Sequence, residues 1–306
     1  MPVSKKAATH PSARDMASAF QSGKSSPVEA TAACLKQVLK YNPALNALAY
    51  LDENGALRQA AASEKRWKQG RPKSTIDGVP VTVKDWFHVK GWPTRQGSLT
   101  TSDRPQENDS LCITALRDAG AVLIGKTTLP EFGHKGVTHS PLSGITRNPW
   151  NPKRTCGGSS GGAAVAAATG MAPLNLGSDA GGSVRIPAAF CGVVGIKPSP
   201  GLMPAYPPSV FSTLSSIGPL TRSVDDAVLM IDVLARAAQA SSIDFHALPA
   251  SVAQAALAEP TLPKANAGLR VAAIHSINGI GLSPDARGTR DAQEKNFAVL
   301  GMVDHI

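Results

Sequence analysis

No stretch of the 306-residue chain approaches 18 uninterrupted apolar residues, so nothing in it reads as a membrane-spanning helix. The opening segment MPVSKKAATHPSARDM carries positive charge without an apolar run behind it, and so lacks the hydrophobic part of a signal peptide. Cysteine is scarce: Cys34, Cys112, Cys156 and Cys191 stand far apart with no C-x-x-C, the usage expected of reduced thiols in a cytoplasmic protein. The net charge of +9 never gathers into a run of five or six basic residues, so nucleic acid is not expected as the main ligand. H-E-x-x-H is absent, and Glu131, His134 and His139, although close together, do not follow a metal-binding pattern. Neither a metal nor a cofactor is expected.

What is present suits a folded body: 42% apolar and 17% charged residues, with 28 glycines and 24 prolines. Residues 1–12 read as a loose tail. Ser25-Ser26-Pro27-Val28-Glu29 offers a capping serine, a first-turn proline and a glutamate, predicting a helix to about Lys40. Helices are also expected over Gly55–Lys68, Leu111–Ala119, Ala163–Thr169, Val224–Ala238 and Ala292–Leu300, and buried strands over residues 78–85 and 121–124. Pro198–Pro208 reads as loop, and residues 239–268 are too rich in Ala and Pro to assign. Alternating strands and helices predict an α/β fold.

Two glycine-dense turns carry the candidate chemistry. Gly157-Gly158-Ser159-Ser160-Gly161-Gly162 runs directly into Ala163-Ala164-Val165-Ala166-Ala167-Ala168, so its serines lie at the N-terminus of a closely packing helix, among free N–H donors. Leu176-Gly177-Ser178-Asp179-Ala180-Gly181-Gly182-Ser183-Val184-Arg185 is a second such turn, whose successive N–H groups can converge on one oxygen, as an oxyanion hole requires. A serine nucleophile needs a base, and none of the seven histidines is placed by a motif. Lys84 is the other candidate, because burial at the end of the Val79–Val83 run disfavours its charged form. A Lys-Asp dipeptide at a strand end is by itself usually a solvated ion pair.

Taken together, residues 78–85, 157–162 and 179–185 resemble the amidase signature family, with Ser159 and Ser183 24 residues apart. Ile186-Pro187-Ala188-Ala189-Phe190-Cys191-Gly192 and Gly218-Pro219-Leu220-Thr221-Arg222 continue the likeness, which extends from about Ala13 to the last residue. The resemblance implies a mixed, mostly parallel central sheet covered by helices, with a catalytic core at about residues 75–222. It makes Ser183 the nucleophile, Ser159 a proton relay in a cis peptide, and Lys84 the base. It assigns the oxyanion to the N–H groups of Ala180, Gly181, Gly182 and Ser183, and gives Ser160, Asp179 and Arg185 supporting roles. Members usually continue past Ala292–Leu300, so residues 13–306 are expected to form an incomplete domain whose missing C-terminal part leaves a sheet edge able to pair in a homodimer.

Two other patterns fit by letter. Gly120–Thr127 satisfies G-x-x-x-x-G-K-[ST], but the residues between its glycines are strand-like and apolar where a P-loop would be exposed. Gly157–Gly161 satisfies G-x-S-x-G, a reading that leaves the Ser183 turn unexplained. The expected substrate is a small carboxamide. Three readings stay open: a general amidase, the glutaminase-type A subunit of a tRNA-dependent amidotransferase, and a catalytically silent remnant.

Overall fold

The computed structural model describes residues 10–203, 205–211 and 214–239, together with short segments between 271 and 304. The chain divides into two compact units, Met1–Ala255 and Ala256–Ile306. In chain order the first contains α1 (Ala13–Ser22), α2 (Pro27–Leu45), β1 (Leu48–Leu51), α3 (Glu53–Lys68), β2 (Pro80–Lys84), α4 (Leu111–Asp118), β3 (Val122–Thr127), β4 (His139–Ser140) and β5 (Gly144–Ile145). It continues with α5 (Gly161–Thr169), β6 (Leu174–Asp179), α6 (Arg185–Cys191), β7 (Val194–Gly195), β8 (Ser216–Thr221) and α7 (Val224–Gln239). In the second unit, β9 (Val271–Ala272) pairs in parallel with β12 (Val303–Asp304), and β10 (Ser276–Ile277) pairs antiparallel with β11 (Ile280–Gly281). The helix expected at 292–300 and the unassigned segment 240–268 lie outside the described residues.

The six-stranded sheet has the order β1-β3-β2-β6-β8-β7. Its centre, β3-β2-β6, is parallel, while β1, β8 and β7 join antiparallel to their inner neighbours. β2, β3, β6 and β7 therefore share one direction, against β1 and β8. β2, β3, β6 and β8 are buried at every position, and in β2 and β3 the sequence shows it as a largely apolar run without a polar alternation. The carboxyl ends of parallel β2 and β6 deliver Lys84 and Asp179 to the same edge, where open α/β sheets commonly place their ligands.

Local sequence accounts for the helix ends. Ser26 and Glu29 form the expected capping box, with Glu29 N–H donating to Ser26 Oγ and Ser26 N–H to Glu29 Oε2. Helix α2 runs on to Leu45, beyond the expected end near Lys40, because Val38 and Leu45 bury on the core side and Asn46 caps it in a left-handed conformation. Helix α1, not foreseen, has its own capping box at Ser12 and Asp15. Its first turn is fastened to α7, where Asp226 Oδ1 accepts from Ala13 N–H at 2.9 Å.

All nine residues of α5 are buried. Their small size brings the helix axis close to its neighbours, and Arg222 caps its C-terminal end by donating to the Ala167 carbonyl at 3.1 Å. At Gly162 the fit admits no side chain: a β-carbon would fall on the Ala47 carbonyl oxygen and 2.5 Å from Thr128 N. Helix propensity alone would have alanine stabilise this position by about 1 kcal/mol. Overpacking against backbone costs about 1–3 kcal/mol and opposes it. Gly162→Ala is therefore expected to lower stability, read as a reduced midpoint in urea unfolding; an unchanged or higher midpoint would show that α5 can shift without cost.

Candidate active site

The site forms where the end of β2, the N-terminus of α5 and the turn after β6 meet. Lys84 is 1% exposed. Its Nζ donates to Ser159 Oγ at 2.7 Å and to Ser178 Oγ at 3.0 Å. Burial strips water from the ammonium and lowers its pKa to about 7, although the Asp179 carboxylate pulls the other way. Two neutral hydroxyls compensate a buried ammonium poorly, so near neutral pH much of Lys84 is free amine, able to accept a proton.

The Lys84-Asp85 dipeptide is not an ion pair. Asp85 turns to the opposite side and binds Lys126 Nζ at 2.7 Å, with both side chains almost fully buried. Lys126, the lysine of the P-loop-like letters, thus belongs to the central strand β3.

The Gly158–Ser159 peptide bond is cis. Ser160 ties the two glycine-rich turns together: its N–H donates to the Ser183 carbonyl at 3.0 Å and its Oγ to the Ser178 carbonyl at 3.1 Å. In the second turn Asp179 acts as a hub. Arg185 grips it through Nε at 2.9 Å and Nη2 at 3.0 Å, while the N–H groups of Gly182 and Val184 donate at 2.7 and 3.1 Å. Burial alone would raise the Asp179 pKa; the guanidinium and the N–H donors outweigh it and hold the carboxyl at about 2.

The Gly182 N–H, counted among four oxyanion donors, is already engaged by Asp179 Oδ1. The N–H groups of Ala180, Gly181 and Ser183 make no hydrogen bond to another described residue, and these three residues line the site cavity while Gly182 does not. Three N–H groups of the turn thus have no partner among the described residues.

That cavity measures about 380 Å³, and Lys84, Ser159 and Ser183 share its wall. Sequence reading missed Ser178, the second acceptor of the Lys84 ammonium, and the apolar side formed by Trp86, Ile186 and Phe211, with Trp86 and Phe211 stacked at 6.3 Å between centroids. Ser178 stands beside the motif, but only the pairing of β2 with β6 shows that it meets Lys84. Of the metal-like trio, Glu131 accepts from Ser98 Oγ, His134 Nδ1 contacts the Glu131 carbonyl, and His139 contacts Lys135. No group of three or more such side chains converges among the described residues.

A model of the amidase family matches residues 29–303. The chain belongs to that family. It is 38% identical over 262 residues to an acylamidase of Rhodococcus erythropolis, covering 85% of this chain and 54% of that protein. It is 40% identical over 219 residues to the A subunit of glutamyl-tRNA(Gln) amidotransferase from Chloroflexus aurantiacus, covering 71% and 45%. Among solved structures, 6-aminohexanoate cyclic dimer hydrolase complexed with substrate superposes with a TM-score of 0.83 at 29% identity, over 97% of this chain and 60% of that one. This amidase-family chain thus spans about half the length of the curated relatives it matches. Among its described residues no helix is long and apolar enough to cross a membrane.

Proposed function

We propose that the chain hydrolyses a carboxamide C–N bond through an acyl-enzyme on Ser183. The single observation that carries this is a desolvated lysine in hydrogen-bond contact with Ser159, in the cavity that Ser183 also lines. Ser183 Oγ attacks the carbonyl carbon and gives its proton to Ser159, whose own proton passes to neutral Lys84. The N–H groups of Ala180, Gly181 and Ser183 receive the oxyanion. Lys84 returns the proton through Ser159 to the leaving nitrogen as the C–N bond breaks, and water then attacks the acyl ester by the same relay in reverse. Ser178 positions the lysine, and Asp179 with Arg185 holds the donor turn. We place the reaction in the cytoplasm, a reading supported by four free, buried thiols.

A fluorophosphonate probe is expected to label Ser183, and mass-spectrometric peptide mapping checks it. An adduct on Ser159 would make that residue the nucleophile, and no adduct at all would favour a silent protein. The 40% identity to an amidotransferase A subunit supports a second reading, in which the amide is that of glutamine and a partner protein uses the ammonia. Glutaminase activity that appears only when such a partner is added would favour it over the general amidase.

A further inference from the structure

The catalytic cavity is not the only space beside Ser178. A second cavity of about 380 Å³ shares Trp86, Ser178 and Ser215 with it as common wall. Phe87, Phe132, Tyr206 and Ile217 give this second space an apolar, largely aromatic surface. None of its described lining residues carries a formal charge at neutral pH: burial lowers the pKa of His88 and raises that of Cys112, leaving imidazole and thiol neutral. The space exceeds the roughly 150 Å³ that holds one benzene, leaving room for a substituted ring.

Three of the serine hydroxyls in this wall are engaged, with Ser209 Oγ accepting from Phe211 N–H at 3.1 Å. Ser110 Oγ accepts from His88 N–H at 2.9 Å, and Ser178 Oγ faces Lys84. The side-chain carboxamide of Gln96 makes no hydrogen bond to another described residue. Its backbone is also unusual. Gln96 and Phe132 are two of three described non-glycine residues at positive φ, at 48° and 49°, and the Phe132 N–H donates to the Gln96 carbonyl at 2.9 Å. Both line this cavity. Left-handed conformations are sparsely populated by residues with long side chains, and they persist where the surroundings enforce them, often at ligand sites.

The surroundings here do enforce it. Lys126 Nζ donates to the Pro93 carbonyl and to Thr94 Oγ1, each at 2.8 Å, and its ion-pair partner Asp85 accepts from Arg95 N–H at 3.3 Å. A buried ion pair therefore clamps the turn that presents Gln96. A carboxamide without a partner among the described residues, in a largely aromatic cavity that adjoins the catalytic one, suits recognition of a polar substituent on an apolar ring.

We infer that the second cavity receives one arm of the substrate amide, an uncharged aromatic group bearing a hydrogen-bonding substituent, and that Gln96 is its specificity-determining contact. This rests on the amidase reading above. The test compares phenylacetamide with 4-hydroxyphenylacetamide, and acetanilide with 4-hydroxyacetanilide, which place the ring on either side of the scissile bond. In one pair the hydroxylated member should be preferred by about tenfold in kcat/KM, the usual effect of one satisfied hydrogen bond. Gln96→Gly, which relieves the left-handed backbone, should bring that ratio to about one, and Gln96→Asn should restore part of it. A native ratio near one in both pairs, or a ratio unmoved by Gln96→Gly, overturns the inference. Calorimetric binding of the same amides to the Ser183→Ala protein separates the two readings. If that protein binds the amides with the Gln96-dependent preference while the native chain, with Ser183 in place, turns none of them over, the amidase reading fails and the cavity assignment stands, whereas native turnover without the preference does the reverse.

Discussion

Ser183→Ala is expected to lower the rate of amide hydrolysis at least about a thousandfold while leaving the fold intact. The hydroxyl supplies the bond-forming atom, and without it only binding and oxyanion stabilisation remain; serine hydrolases stripped of a catalytic residue keep a small residual rate from those sources. Structural damage should be slight, because the Ser183 contact that fastens the turns is its carbonyl, accepting from Ser160 N–H, which alanine retains. Single-turnover kinetics with matched far-UV spectra check both halves of the statement. A loss smaller than tenfold in a correctly folded variant would mean that another atom attacks the carbonyl.

Lys84→Arg should cost at least about a hundredfold, the lower part of what a general base contributes. Arginine stays protonated at every usable pH, so the charge survives and the base does not. In the native protein activity should rise as pH passes through about 7 and then level off, since only the neutral amine takes the Ser159 proton. The same shift bears on stability. The native pKa lies below that of the unfolded chain, so between about 7 and the ordinary lysine range near 10.4 the unfolded state binds more protons, and stability rises with pH across that window. Lys84→Met should then be more stable than the native chain, most clearly below pH 7, where native folding must bury an ammonium. A native pH–rate profile already flat from pH 6 to 9, or appreciable activity in Lys84→Arg, would remove Lys84 as the base.

The parts of this molecule that depend on neighbouring residues were open to sequence reading. The Ser26 and Glu29 capping box, the apolar runs of β2 and β3 and the tiny residues of α5 each state their structure locally. The glycine-serine turns did so because their letters come in a rare order. What escaped depends on residues brought together from far apart. Nothing in Ser216-Ile217-Gly218-Pro219-Leu220-Thr221 marks a strand, since glycine and proline argue against one; it becomes one by pairing between β6 and β7. Ser178 acquired a role only through β2, and the bond from Gly182 N–H to Asp179 depends on the path of a turn that glycine leaves unconstrained. Likewise, Asp85 could not be assigned to Lys126 before β2 and β3 were known to be neighbours.

Lys84 and Asp85 follow one another at the end of an extended segment, yet one side chain reaches Ser159 and the other reaches Lys126 across the strand. Successive residues of such a segment point to opposite sides, so sliding β2 by a single position would exchange their places. A carboxylate would then face Ser159, and Lys84 would confront the ammonium of Lys126 where both side chains are buried. Both outcomes are costly, so misaligned pairings of this strand are rejected electrostatically as well as by packing. The chain thereby carries a proofreading signal for its own assembly, written in the same two letters that place the base.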